Sequence, residues 1–322
     1  MIVPSKLQQG DEIRIIAPST SAKILGDAGI ANAKARLEEL GFVVTFGKHV
    51  YESDLFGSSS IASRIDDLHE AFKNPNVKAI LTAIGGFSSN EILPYIDYTL
   101  VKKNPKILCG FSDITALATA ITTKSGLITY SGPHFSTFHM EKGRSYHEHN
   151  FLKCLTSEES YTVTPSSYWS DDEWYIDQDN RRFEQTTWKV FHEGEACGQV
   201  FGGNLCTLNL LQGTPYMPSG FDKKVLFIED DYETRPQIFA RDLTSLLQNI
   251  HNVQALIIGR FQRASQMSDV EIEFILRKIP SLQNIPVIYN TDFGHTQSMF
   301  TFPIGGTVKI NTSSKTLDFW RF

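Results

Sequence analysis

The stretch Ile107–Leu117, ILCGFSDITAL, runs from an apolar segment through Gly110 to a lone serine, Ser112, and then into residues with helical spacing. It predicts a strand, a bend and a helix, with a hydroxyl at the bend. Serine and aspartate at a helix start satisfy unpaired backbone N–H groups. The same position also suits a nucleophile presented above a sheet and aimed into the positive end of a helix. Its neighbours on both sides decide what kind of sheet this is. Glu12–Ala17, Phe42–Phe46, Val77–Ala83 and Lys106–Cys109 read as strands, and Ile30–Leu40, Ile61–Phe72, a helix begun at Asn90–Leu93, and Asp113–Thr123 read as the helices between them. Strand and helix taking turns implies a parallel sheet covered on both faces. In such sheets ligands bind beyond the carboxyl ends of the strands, where Gly85-Gly86 and Ser112 both fall.

After Gly132-Pro133 the character changes. Residues 134–150 are rich in histidine and polar groups, and 164–184 carries Pro, Ser, Asp and two tryptophans with little periodicity, which reads as linker and loop. Beyond it lie short strands at Cys197–Phe201, Val225–Ile228, Ala255–Ile258, Val287–Tyr289, Thr307–Ile310 and Thr316–Phe319, with helices at Asn204–Leu211 and Gln237–Asn249. The expected organisation is therefore an N-terminal α/β part over 1–163, an aromatic loop over 164–184, and a more β-rich α/β part over 185–322.

Length and composition fit that reading: 322 residues, 41% hydrophobic, 20% charged and a net charge of −6 describe an ordinary, mildly acidic globular chain. No run of Lys and Arg interleaved with aromatics points to nucleic acid, and no stretch reaches the length of a membrane span. The N-terminus lacks the apolar segment of a signal peptide, so the expected location is the cytoplasm. The four cysteines lack CxxC spacing and read as reduced core residues.

A serine hydroxyl needs a base to become a nucleophile. Among nine histidines, His134, His139, His147 and His149 crowd the polar segment and read as surface residues, with His147-Glu148-His149 a weak match to metal spacing. His49, His69, His192 and His251 stand singly. His295 follows the strand-like VIYNTDFG and sits on a glycine turn, either as a working side chain or as a turn residue without a role. For an orienting acid, KVLFIEDD over 224–231 places Glu229 nearest the buried strand, with Asp230 and Glu233 as substitutes. The backbone of Asp113 offers one oxyanion donor, and Gly85-Gly86 another, since glycine admits close approach.

Taken together, GDEIRIIAPS, AIGGFSSNEILPYIDY over 83–98, NPKILCGFSDITAL over 104–117, GLITYSGP over 126–133, GGNLCTLNLLQGTPYMP over 202–218, LFIEDDYE over 226–233 and DFGHTQSMFTFPIG over 292–305 resemble the LD-carboxypeptidase family of serine peptidases, and within it the microcin C immunity subgroup. The resemblance implies a flavodoxin-like N-terminal domain carrying the nucleophile and a swivelling, β-rich C-terminal domain carrying acid and base. It implies a triad of Ser112, Glu229 and His295, oxyanion donors on Gly86 and Asp113, no metal or cofactor, and a homodimer. Of the family's two chemistries, removal of a terminal D-amino acid from murein tetrapeptides and cleavage of an aminoacyl or peptidyl group from an adenylate-like nucleotide, the segment YWSDDEWYIDQDNRRF over 168–183 favours the second. It looks like the subgroup's aromatic loop, where Trp174, chosen over Trp169, stacks on the base; the other reading has these rings covering an apolar patch. Gly85 and Asn204 are the remaining expected substrate contacts, Asn204 being equally placed to cap the following helix. The segment Gly-x-Ser-Asp-Ile lacks the second glycine of the GxSxG elbow, so that motif lends no support.

Overall fold

Five short segments, buried throughout at Ile107–Cys109 and Thr129–Ser131 and partly exposed in the edge strand Val43–Phe46, pair in parallel. The computed structural model describes residues 1–322 except Ser219, Phe221 and Arg321. In it, Val43–Phe46, Glu12–Ile16, Val77–Thr82, Ile107–Cys109 and Thr129–Ser131 lie side by side in that order. Numbered along the chain, the spatial order is 2-1-3-4-5, the doubly wound arrangement with its ligand crevice above the carboxyl ends. Phe302–Ile304 returns from far along the chain to pair antiparallel with Thr129–Ser131 at the sheet's edge.

A second sheet of eight strands has a parallel centre, Glu195–Asn204, Lys224–Glu229, Val253–Gly259 and Val287–Thr291, flanked by antiparallel strands. One of these, Tyr161–Val163, pairs with Thr316–Trp320. With Tyr161 and Val163 buried, the chain joins the second sheet just ahead of residue 164, where the aromatic loop is expected to begin.

The helix Ile114–Ser125 is buried along nearly its whole length. It lies between the two sheets, its Ala116, Leu117, Ala120 and Ile121 sharing one apolar cluster with Phe201, Leu205 and Ile228. Gly203 makes the approach possible, since a Cβ there would stand 2.5 Å from Thr115 Oγ1. In addition the Asn204 backbone N–H donates to that hydroxyl at 2.9 Å. Gly126, in the left-handed conformation, ends the helix, as glycine does without steric cost.

The helix expected from Asn90–Leu93 is a short 3-10 segment, Ser89–Tyr95, followed by a helix over Tyr98–Lys103, and two longer helices also differ from expectation. Ser145–Thr156 is a regular α-helix where a linker was expected, because its apolar face, Phe151, Cys154 and Leu155, is diluted by polar residues that are themselves buried. Asp269–Arg277 was not anticipated, although Ser268 and Glu271 form a capping box at its start. Cys109 and Cys154 are buried, but Cys197 and Cys206 are exposed, which corrects the core reading for those two. Among the described residues no helix is long and apolar enough to cross a membrane.

Candidate active site

The bend after Ile107–Cys109 holds Ser112 at φ +58°, a left-handed conformation uncommon for a residue with a Cβ. Asp113 fixes that bend. Its Oδ2 accepts from Ser19 Oγ at 2.5 Å and from the Ser89 backbone N–H at 2.8 Å, while its carbonyl accepts from Ser89 Oγ at 2.6 Å. These buried hydrogen bonds on one residue hold the turn against its strain.

The carboxyl ends of both sheets converge here. Glu229 ends its strand with only 2% of its surface exposed, and His295 follows the strand Val287–Thr291. His295 Nε2 lies 2.9 Å from Ser112 Oγ, and His295 Nδ1 lies 2.7 Å from Glu229 Oε2. The loop bearing His295 is fastened below by Asp292, which is fully buried. Asp292 pairs with Arg260 at 2.8 Å and accepts from Trp188 Nε1 at 2.7 Å and the Ser166 backbone at 2.8 Å. Gly259 and Gly294 pack directly on Glu229; a Cβ at Gly294 would stand 2.6 Å from Oε2.

Burial alone would lower the pKa of His295. The charge of Glu229 and the hydrogen bond to it, with Asp231 and Asp230 beyond, outweigh that loss, and the net direction is upward. Asp230 is itself pushed up to about 7, first by burial and then by the charge of Glu229.

A cavity of about 300 Å³ opens on Ser112 and His295, lined also by Gly85, Gly86, Phe111, His134, Met140 and Trp174. A Cβ on Gly85 would stand 3.0 Å from that of Ser112, so the missing side chain is what leaves the space. The backbone N–H groups of Gly86 and Asp113 donate to no partner among the described residues. Trp174 reaches the cavity because its loop is bridged to the His295 loop by mutual backbone bonds between Ser170 and Gln297, at 2.6 and 2.9 Å. Trp169 faces a separate cleft of about 750 Å³, where the guanidinium carbons of Arg263 and Arg260 lie 4.9 and 5.3 Å from its ring.

Asn204 caps the following helix, one of the two roles open to it in the sequence. It is buried and does not line the cavity; its Oδ1 accepts from the Thr207 backbone at 3.1 Å, capping the helix, and its Nδ2 donates to Asp230 at 3.3 Å. Two of the four histidines expected at the surface, His134 and His147, are buried. Glu148, beside His147, is engaged by Arg36 and Arg144. His134, which lines the cavity, is not singled out in the sequence as a candidate. The available signal was its place just past Thr129–Ser131, at the same carboxyl edge as Ser112. The Cys109 thiol is buried, with its pKa pushed well up by desolvation, which is the condition of an inert cysteine.

Comparison with known proteins covers the whole chain. Residues 13–132 match the LD-carboxypeptidase N-terminal domain and residues 197–310 the LD-carboxypeptidase C-terminal domain. "Putative carboxypeptidase YocD" of Bacillus subtilis is 52% identical over 98% of each chain. The crystal structure of an MccF-like protein from Bacillus anthracis shares 50% identity and superposes over 100% of both chains with a TM-score of 0.97. The microcin C7 self-immunity protein MccF of Escherichia coli is 29% identical over 98% of this chain and 95% of its own. Its structure in complex with aspartyl sulfamoyl adenosine superposes over 100% of this chain and 99% of that one with a TM-score of 0.90.

Proposed function

The chain belongs to the LD-carboxypeptidase family of serine peptidases, and from that premise we propose that it hydrolyses the bond between an aminoacyl or peptidyl group and an adenylate-like nucleotide. The observation that carries the mechanism is the unbroken chain of hydrogen bonds Ser112–His295–Glu229 at 2.9 and 2.7 Å. His295 Nε2 takes the proton of Ser112 Oγ as that oxygen attacks the acyl carbon. Glu229 holds Nδ1–H, fixing the tautomer and stabilising the imidazolium. The unpartnered N–H groups of Gly86 and Asp113 receive the oxyanion. His295 then returns its proton to the leaving nitrogen, and water, activated by the same imidazole, releases the acyl group from Ser112.

Two observations support the nucleotide as leaving group: Trp174 lines the cavity that opens on Ser112, and the related MccF binds aspartyl sulfamoyl adenosine. The reading carries with it a cytoplasmic, homodimeric enzyme that confers immunity by destroying such compounds. The alternative within the family is removal of terminal D-Ala from murein tetrapeptides. Both compounds offered side by side to the purified protein decide between them. The expected result is cleavage of an aminoacyl sulfamoyl adenosine, lost by roughly 10⁴-fold or more in Ser112→Ala. Trp174→Ala should raise KM for it by about 10- to 100-fold, the worth of one base stacked on an aromatic ring. Cleavage of the tetrapeptide alone overturns the substrate; turnover retained by Ser112→Ala overturns the nucleophile.

A further inference from the structure

One buried titratable side chain outside the hydrogen-bonded triad faces the same cavity. His134 has 2% of its surface exposed and lines the space beside Ser112. Its ring stacks on Phe111 at 4.3 Å, and the edge of Phe111 meets His295 at 5.2 Å, so one phenyl ring spaces two imidazoles. His134 Nδ1 lies 2.8 Å from Thr82 Oγ1, and that hydroxyl has a second acceptor within reach in the Cys109 carbonyl at 3.4 Å. In the tautomer with its proton on Nδ1, the ring donates to Thr82, the hydroxyl turns to the carbonyl, and Nε2 keeps a lone pair. Among the described residues Nε2 has no partner.

The position of that lone pair is set by Gly85. A carbon placed where its Cβ would be stands 3.1 Å from Ser112 Oγ and 3.5 Å from His134 Nε2, so one substrate atom in that space touches both. Burial pushes the His134 pKa down to about 3, with His295 adding to the effect, and the ring stays neutral across the physiological range.

We propose that His134 contacts the substrate directly, its Nε2 accepting a hydrogen bond from the N–H on the α-carbon of the acyl residue, the α-ammonium when that residue is a free aminoacyl group. The proposal rests on Ser112 being the nucleophile, as read above. A carbon bonded to Ser112 Oγ has three other substituents. The oxyanion goes to the N–H groups of Gly86 and Asp113, and the leaving nitrogen must face His295 Nε2, which protonates it. The α-carbon takes the direction that remains, toward Gly85 and His134. Among the described residues no Asp, Glu, Lys or Arg lines the cavity, so the ammonium meets neutral acceptors there. A carboxylate in the place of His134 would repel the developing oxyanion; a neutral imidazole recognises the amine without that penalty.

Two measurements test this on the full-length protein. With histidine labelled by ¹⁵N, Nε2 of His134 is expected at the chemical shift of an unprotonated ring nitrogen at pH 7; a protonated Nε2 overturns the proposal whatever the substrate. In the second, kcat/KM is measured on an aminoacyl sulfamoyl adenosine and on its analogue lacking the α-amine, with fluorophosphonate labelling of Ser112 reporting an intact nucleophile. The unaltered protein is expected to prefer the amine by about 10- to 100-fold, the range for a hydrogen bond to a charged group. His134→Ala should bring the two compounds to within about threefold, and His134→Gln, which keeps an acceptor, should restore part of the difference. An undiminished preference in His134→Ala, with Ser112 still labelled, refutes the role of His134 and leaves the triad standing. Failure of the unaltered protein to label at Ser112 overturns the nucleophile, and the assignment of His134 falls with it.

Discussion

Replacing Asp230 by asparagine tests the electrostatics of the site through folding stability. Asp230 has 1% of its surface exposed; its Oδ1 accepts from Asn204 and from the Asp231 backbone, and its Oδ2 has no partner among the described residues. Burial, then the charge of Glu229, moves its pKa from 3.8 to about 7. A folded-state pKa above the unfolded one means that the folded chain holds the proton more tightly. The stability tied to this group is therefore fully present below pH 4 and is lost as pH rises through about 7. At about 1.4 kcal/mol for each pH unit between the two values, the loss amounts to roughly 4 kcal/mol by pH 8. Asparagine has the same shape, keeps an acceptor for Asn204, and carries no charge to desolvate. Urea unfolding of both proteins at pH 4.5 and pH 8.5 should show the variant gaining relative to the parent by about 3 kcal/mol between the two conditions, the remainder being lost already below pH 4.5. A difference that stays constant with pH would mean that Asp230 ionises without cost in the fold, and the reasoning would be refuted.

The other predictions concern turnover. His295 accepts a proton only when neutral and its pKa is raised, so kcat/KM should rise with pH along a limb whose midpoint lies above 6.5. Removing the Asp230 charge takes away one of the groups that raise it, so Asp230→Asn should move that limb to lower pH; a limb that does not move excludes the coupling. Gly294→Ala places a Cβ 2.6 Å from Glu229 Oε2 at a φ of +98°, and should lower kcat by about 10²-fold through displacement of the carboxylate, with the apparent affinity for substrate little changed. A fall in affinity alone would show that Gly294 serves binding and leaves the acid in place.

The sequence made the parallel sheet readable because each strand is a short apolar run closed by a polar or glycine turn. The same logic pointed to Ser112, Glu229 and His295, each just beyond such a run. What stayed hidden depended on contacts between distant residues. Nothing local to Ser145–Thr156 tells that Glu148 is buried beneath Arg36, so the helix looked like polar linker. His134 looked like one of a surface cluster because its burial comes from Phe111 and Thr82. Asn204 could cap or bind, and only the position of Asp230 shows which bonds it makes.

The halves of this chain are interlaced. Phe302–Ile304 closes the edge of the first sheet, and Tyr161–Val163 extends the second, so each lobe borrows a strand from the other. The segment bearing the imidazole is strung between them, leaving one sheet at Thr291 and joining the other at Phe302. Neither half can be excised, swapped or grafted as a free-standing module, because each would leave home with an open flank and without the neighbour that completes it. Ser112, His295 and Glu229 are thereby held by one interlaced framework, and a cut between the two lobes would open both sheets before it parted these three side chains.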